Sequence, residues 1–146
     1  MSAEAKTLFV AEPPPQYLAR PPVVIDCSVF AALAFQEPSQ AEALACMRGK
    51  SLQAPFLLEV EMASVALKKT EAGFKELATE GLLQFEQADI LFYPCSSLAV
   101  LELAAQYRLS AYDAAYLHLA AELKCPLVTF DKRLGDAAKT YLASLL

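Results

Sequence analysis

Four acidic side chains in separate segments of the chain have the type and placement to share one site. They are Asp26, Glu61, Asp113 and Asp131. If they converge, they repel one another unless a cation lies between them, because each negative charge disfavours ionisation of the others. An all-oxygen donor set suits Mg²⁺ or Mn²⁺ better than zinc. A cation held there would lower the pKa of a bound water and stabilise the charge on a phosphodiester.

Taken singly, each acid also has an ordinary structural explanation. Asp26 and Asp131 each follow a short apolar run, and an Asp at the end of a strand often caps the next helix. Glu61 lies inside a predicted helix, where most glutamates are simply solvated, and Glu59 points to a different face of that helix. Only the combination of the acids favours a shared site.

Asp113 is the most informative of the four acids. The pattern Ser110-x-x-Asp113 is typical of a helix cap, which could account for the residue. However, Asp113 shares a helical face with Tyr116, Leu117 and Ala120. A carboxylate on an apolar stripe needs a metal or a hydrogen-bond donor as its partner.

Three polar residues close to these acids are candidates for a supporting role. Ser28 and Thr129 each lie two residues from an acid and could donate hydrogen bonds that orient the carboxylates. Asp136, five residues beyond Asp131, could make an outer contact, but we favour a solvated surface acid.

Short apolar segments alternate with helical segments along the body of the chain. The predicted strands are 23–26, 90–93 and 127–130, with a further short strand near 141–142. The predicted helices are 28–35, 39–48, 56–69, 71–87, 97–107, 110–124 and one from about 132. Ser28 is predicted to cap the first helix, and Ala54-Pro55 to open the third. This alternation predicts an α/β fold with a mainly parallel sheet covered on both faces, in which ligands bind at the carboxyl ends of strands.

Length and composition predict one domain preceded by an arm. The chain has 146 residues, of which 56% are hydrophobic, so we expect an apolar interface and self-association. Five prolines between 13 and 22 exclude regular structure in residues 1–22, which we interpret as an arm packed on the body through apolar side chains. Those side chains are Leu8, Phe9, Val10, Tyr17 and Leu18. The globular domain is expected to span 23–146.

Charge and sequence pattern also bear on partners and location. The formal net charge of −5 argues against nucleic-acid binding through bulk charge, although a local, metal-dependent contact remains compatible with it. No apolar run is long enough to cross a membrane, and the N-terminus does not resemble a secretion signal, so we expect a cytoplasmic protein. The four cysteines form no C-x-x-C pair, and the lone His118 cannot complete a zinc site with them. We expect reduced, buried thiols.

Several motifs, in order along residues 23–134, resemble those of the PIN-domain family and, within it, the VapC-like toxins of toxin–antitoxin pairs. The sequence Val-Ile-Asp26-Cys-Ser28 is similar to the family's D-x-S/T start after a hydrophobic strand. Further matches are Phe-Gln-Glu37-Pro38, Glu61-Met-Ala-Ser64, Ser110-Ala-Tyr-Asp113-Ala-Ala-Tyr and Val-Thr129-Phe-Asp131. Ser64 replaces a frequent asparagine of the family, and the arm at 1–22 precedes the usual family start.

The resemblance implies a three-layer α/β/α PIN fold and a metal-dependent endoribonuclease, with Mg²⁺ or Mn²⁺ as the cofactor. It implies that Asp26, Glu61, Asp113 and Asp131 are the catalytic, metal-holding residues. It further implies an RNA substrate, a homodimer and a cognate antitoxin that blocks the site. Contacts with the RNA backbone could come from Lys68, Lys69, Arg108, Lys132 and Arg133, although most such charges simply solubilise helix ends.

Two other functions are compatible with the sequence. The first is a binding or regulatory module with the same fold and no useful catalysis, against which the presence of all four acids argues. The second is an acid-and-Mg²⁺ phosphatase of the haloacid dehalogenase type. Those enzymes need D-x-D after the first strand, and Ser28 occupies the second Asp position here, so this alternative ranks low.

Overall fold

The computed structural model describes residues 6–11 and 20–145. Its centre is a parallel sheet of four strands in the order β3-β2-β1-β4. The strands are β1 (Pro22–Ile25), β2 (Ser51–Pro55), β3 (Ile90–Tyr93) and β4 (Leu127–Val128). The helices are α1 (Cys27–Ala34), α2 (Gln40–Met47), α3 (Leu57–Glu71), α4 (Lys75–Gln87), α5 (Ser97–Tyr107), α6 (Ala111–Leu123) and α7 (Lys132–Ala143).

The three-layer α/β/α arrangement follows from the composition of the central strand. In β1, Val23, Val24 and Ile25 are all buried, at 3%, 0% and 0% exposure. Because successive side chains of a strand point to opposite faces, a strand buried along its whole length must be covered on both faces. Helices on the two sides of the sheet provide that cover, and the predicted α/β class is confirmed.

Strand β2 was missed in the sequence because polar residues interrupt its apolar pattern. Ala54-Pro55 ends this strand, so the prediction that it opens a helix was wrong, and α3 begins at Leu57. Gln53 is 4% exposed inside the strand. Its amide is satisfied by the Tyr93 hydroxyl at 2.6 Å and the Ser51 hydroxyl at 2.8 Å. One local and one tertiary hydrogen bond therefore satisfy Gln53 and allow this polar segment to form a buried strand.

Three predicted local features differ in the structure. Residues 141–142 lie inside α7, so no strand forms there. Strand β4 stops at Val128, two residues earlier than predicted. The cap of α1 is Asp26, whose side chain accepts a hydrogen bond from the Val29 amide, and not Ser28.

The apolar residues of the N-terminal arm that the structure describes do not pack on the domain. Leu8, Phe9 and Val10 are 86%, 86% and 73% exposed, which contradicts the predicted packing. Tyr17 and Leu18 lie outside the described residues. No helix in the described part of the chain is long and apolar enough to cross a membrane.

All four cysteines are free thiols, as predicted. Cys125 is buried and Cys27 is half-buried, and burial raises the pKa of the Cys27 thiol to about 12. Cys46 is also half-buried, whereas Cys95 is exposed. The prediction that every thiol is buried is therefore wrong for Cys95.

Candidate active site

Asp26 stands at the carboxyl end of β1 and is held by three donors. Its Oδ1 accepts hydrogen bonds from the Ser28 hydroxyl at 2.6 Å and from the Val29 amide at 3.2 Å. Its Oδ2 accepts one from the Thr129 hydroxyl at 2.5 Å. The carboxylate is only 5% exposed, so these donors fix both of its oxygens in place.

The two hydroxyls that hold Asp26 also join the ends of neighbouring strands. Ser28 Oγ accepts a hydrogen bond from the Phe130 amide at 3.0 Å, and Thr129 Oγ1 accepts one from the Asp131 amide at 2.9 Å. Asp131 in turn caps α7, since its Oδ1 accepts from the Leu134 amide at 2.8 Å. The prediction that Asp26 and Asp131 cap the helices that follow them is therefore confirmed. The same hydrogen bonds bring the two acids to one edge of the sheet.

Glu61 reaches this edge from the second turn of α3. The hydroxyl of Tyr116, from α6, donates a hydrogen bond to its Oε1 at 2.6 Å. Tyr116 was predicted only as part of an apolar stripe. Its spacing of three residues from Asp113 was the signal that could have revealed its contact with the site. Glu59 is exposed.

Asp113 lies in the first turn of α6. Ser110 caps this helix, because its hydroxyl accepts a hydrogen bond from the Asp113 amide at 3.1 Å. The cap uses the amide of Asp113, and the Ser110 side chain also lowers the pKa of the Asp113 carboxyl group through a hydrogen bond.

The electrostatics of the acids show that they gather in one place. Burial raises the pKa of Asp26 above 3.8, although its hydrogen bonds oppose the shift. Burial also raises the pKa of Glu61, and the charges of Asp113 and Asp26 raise it further. The pKa of Asp113 is raised by burial and then by Asp131 and Asp26, whereas Arg133 lowers it. Asp26, Glu61 and Asp113 therefore each lie close enough to at least one other acid of the set for its negative charge to raise their pKa.

The donor set fits a hard divalent cation, although it does not form a closed cage. Within residues 6–11 and 20–145, no group of three or more His, Cys, Asp or Glu side chains is already arranged as a metal site. Mg²⁺ does not need such a cage, because it keeps several waters and is usually held by one or two carboxylates. Carboxylates that repel one another are stabilised most by a bound cation. The open arrangement of the acids and their raised pKa values are therefore both compatible with Mg²⁺.

A cleft with a different lining lies away from the acids. A cleft of about 570 Å³ opens between the end of β3 and α6, and its lining includes Tyr93, Cys95, His118 and Glu122. None of the four acids is among its lining residues in the described structure. An open site is compatible with a polymeric substrate that lies across a surface. We therefore assign the active site from the four acidic side chains and not from the presence of a cleft.

Two of the basic residues considered for backbone contacts are already paired. Lys69 contacts Glu37 at 3.6 Å and lies over the ring of Phe35. Lys132 contacts Asp136 at 2.9 Å, which makes Asp136 the surface acid that we favoured. Arg133 lowers the pKa of Asp113 and is therefore the basic residue with an electrostatic link to the site.

Comparison with known proteins agrees with this fold. Residues 23–140 match the PIN domain, and the chain belongs to the PIN-domain family. Within that family it is VapC-like. It is 31% identical over 120 residues to proteins named VapC ribonuclease Mb0985, from Mycobacterium bovis, and Ribonuclease VapC9, from Mycobacterium tuberculosis. These matches cover 80% of this chain and 91% of each relative.

A solved structure shares the fold. The crystal structure of PAE2754 from Pyrobaculum aerophilum superposes with a TM-score of 0.65 at 23% sequence identity. The match covers 86% of this chain and 95% of the other. It supports the architecture, and the family assignment rests on the sequence matches.

Proposed function

We propose that this protein is a metal-dependent endoribonuclease that cleaves RNA phosphodiester bonds as the toxin of a toxin–antitoxin pair. The observation that carries the proposal is that Thr129 joins Asp26 to the backbone of Asp131 at the carboxyl edge of the sheet, with Glu61 and Asp113 close enough for the charge of Asp26 to raise the pKa of both. Its similarity to proteins named VapC ribonucleases supports RNA as the substrate.

Asp26, Glu61, Asp113 and Asp131 are the residues proposed to hold the cation, with Mg²⁺ or Mn²⁺ as the ion. When bound, the cation would activate water and offset the charge that develops on the phosphodiester. Asp26 is the fixed point of the site, because both of its oxygens are oriented by hydrogen bonds. Ser28 and Thr129 serve as the donors that keep it in place.

The partners follow from the same proposal. An antitoxin would cover the acidic site, and a second copy of the chain would cover exposed apolar side chains on α5 and α6. Among these, Leu98, Leu101 and Tyr112 are 67%, 63% and 64% exposed. Leu101 and Tyr112 line an apolar groove of about 400 Å³. A cytoplasmic location, and residues 1–22 as an arm outside the 23–146 domain, belong to the proposal as well.

The test is cleavage of a mixed RNA pool by antitoxin-free protein with Mg²⁺ or Mn²⁺. Asp113→Asn and Glu61→Gln should each lose most cutting, about 100-fold or more, because a carboxylate that stabilises transition-state charge is lost. EDTA should abolish cutting by the wild type.

Glu59→Gln is the matched control for Glu61→Gln. It removes a carboxylate from the same helix, but from an exposed position outside the site, so it should cut like the wild type. Equal cutting by wild type and Asp113→Asn would reject the acidic site. Absence of cutting by folded, metal-loaded wild type across the pool would favour the non-catalytic module.

A further inference from the structure

Tyr116 is a buried side chain that combines core packing with a hydrogen bond to one of the four acids. Its side chain is 1% exposed, and the ring belongs to the main hydrophobic core. A buried phenol must find a hydrogen-bond partner. Tyr116 uses the carboxylate of Glu61, 55 residues away on another helix, at 2.6 Å. The bond is charge-assisted and therefore stronger than one to a neutral acceptor.

The bond fixes a side chain that would otherwise move. Glu61 is half-buried, and its side chain has several rotatable bonds that would otherwise let the carboxylate turn toward solvent. It also loses rotamer freedom whenever a cation captures it. Tyr116 holds Oε1 and leaves Oε2 without a protein donor in the described structure.

The position of Tyr116 on α6 adds a second constraint. It lies three residues after Asp113, so both belong to one face of the same helix. One rigid helix thus carries the Asp113 carboxylate directly and holds the Glu61 carboxylate through a hydroxyl. The separation of these two acids is set by α6 and not by the flexible side chain of Glu61.

We propose that Tyr116 is a positioning residue that pre-orders Glu61 for a divalent cation. The inference rests on the proposed function, because it assumes that Glu61 binds the metal. Tyr116 touches neither RNA nor cation in this scheme and acts through Glu61.

The experiment measures binding of Mn²⁺ alone, by calorimetry and by electron paramagnetic resonance, without RNA. Tyr116→Phe removes only the hydroxyl oxygen. Loss of a hydrogen bond to a metal ligand weakens metal binding about 10- to 100-fold, and we expect Mn²⁺ binding to weaken about 10-fold. Glu61→Gln should weaken it as well. If Tyr116 acts through Glu61, Tyr116→Phe should cause no further loss in the Glu61→Gln background.

Tyr93→Phe is the matched control. Its hydroxyl also donates at 2.6 Å, but to the neutral amide of Gln53 outside the acidic site. Both Tyr→Phe variants should lower the melting temperature, and only Tyr116→Phe should change the affinity for Mn²⁺. A purely structural Tyr116 would lower the melting temperature and leave Mn²⁺ binding unchanged.

A measurement on the wild type avoids dependence on a variant that fails to fold. With ¹³Cζ-labelled tyrosine, titration with Mg²⁺ should shift the Tyr116 resonance and leave the Tyr93 resonance unchanged. The inference is overturned if Tyr116→Phe binds Mn²⁺ like wild type, if it weakens binding equally in both backgrounds, or if Tyr116 does not respond to Mg²⁺. If wild type binds no Mn²⁺, or Glu61→Gln binds it equally well, the proposed metal site itself fails, and the inference with it.

Discussion

At the scale of single residues, the hydroxyl of Thr129 shows how this site is built. It donates to Asp26 Oδ2 and accepts from the Asp131 amide, so one side chain serves two of the acids. Thr129→Val keeps the shape and removes both hydrogen bonds. We expect cleavage, or the affinity for Mg²⁺, to fall about 10- to 100-fold, because the carboxylate loses its orientation. The measurement is the cleavage rate as a function of Mg²⁺ concentration.

Thr79→Val is the control for that substitution. The Thr79 hydroxyl donates to the Lys75 carbonyl on the exposed side of α4, and the variant should cut RNA at the wild-type rate. Unchanged Mg²⁺ dependence in Thr129→Val would show that Asp26 does not need this donor.

Single residues also show the limit of prediction from sequence. Ser28 and Thr129 could be predicted as donors because each lies two residues from an acid, and the structure shows both hydrogen bonds to Asp26. Tyr116 could not be assigned to Glu61, because no local pattern links residues 55 positions apart. The metal-holding role of the acids remains a prediction.

At the scale of elements, two glycines in helices have opposite environments. A Cβ on Gly81 of α4 would lie 2.4 Å from two ring atoms of Phe35 and 2.9 Å from the Ala34 carbonyl oxygen. A Cβ on Gly135 of α7 would meet only a methyl of Thr129, at 3.7 Å. Gly81 therefore lets α4 pack closely against the end of α1, whereas Gly135 serves no such contact.

This contrast predicts opposite effects of the same substitution. Gly81→Ala should destabilise the fold by about 1–3 kcal/mol, because overpacking outweighs the gain in helix propensity. Gly135→Ala should stabilise it by about 0.5–1 kcal/mol through propensity alone. Urea unfolding of both variants measures the difference. A stabilising Gly81→Ala would mean that α1 and α4 are not packed as closely as described.

The elements that the sequence predicted correctly are those with a strong local signal. The apolar run of β1 and the capped start of α6 are examples, and both are confirmed. Strand β2 was missed because the burial of its polar Gln53 depends in part on the Tyr93 hydroxyl, which comes from another strand. Residues 141–142 looked like a strand because their helical periodicity is visible only over the whole of α7.

At the scale of the whole molecule, we expect the acidic site to lower the stability of the metal-free fold once pH rises above the ordinary carboxyl pKa values. Asp26, Glu61 and Asp113 all have raised pKa values in the fold. A raised carboxyl pKa means that the folded state holds its proton more tightly than the unfolded state. Its contribution to stability is therefore present below the ordinary pKa, 3.8 for Asp and 4.5 for Glu, and is lost as pH rises through the folded value.

Metal-free protein should accordingly lose stability at this site as pH rises above about 4, and a divalent cation should restore it by binding the folded state. Asp113→Asn removes one of the negative charges that repel one another. In EDTA it should melt at a higher temperature than wild type near pH 7, by a few degrees, and the two should converge toward pH 4. Added Mn²⁺ should raise the melting temperature of the wild type more than that of Asp113→Asn.

The control for this prediction is Asp136, an acid whose pKa is shifted in the opposite direction. The hydrogen bond and charge of Lys132 lower the pKa of Asp136, so its stabilising contribution is present at neutral pH and is lost on acidification. Asp136→Asn should therefore gain no stability at pH 7 and should respond to Mn²⁺ as the wild type does. If Asp113→Asn melted below the wild type in EDTA at pH 7, the acids would be stabilising the metal-free fold, and electrostatic repulsion could not be what a cation relieves. If only Asp113→Asn has a higher melting temperature than wild type, the lower stability of the metal-free protein arises at the site proposed to cut RNA.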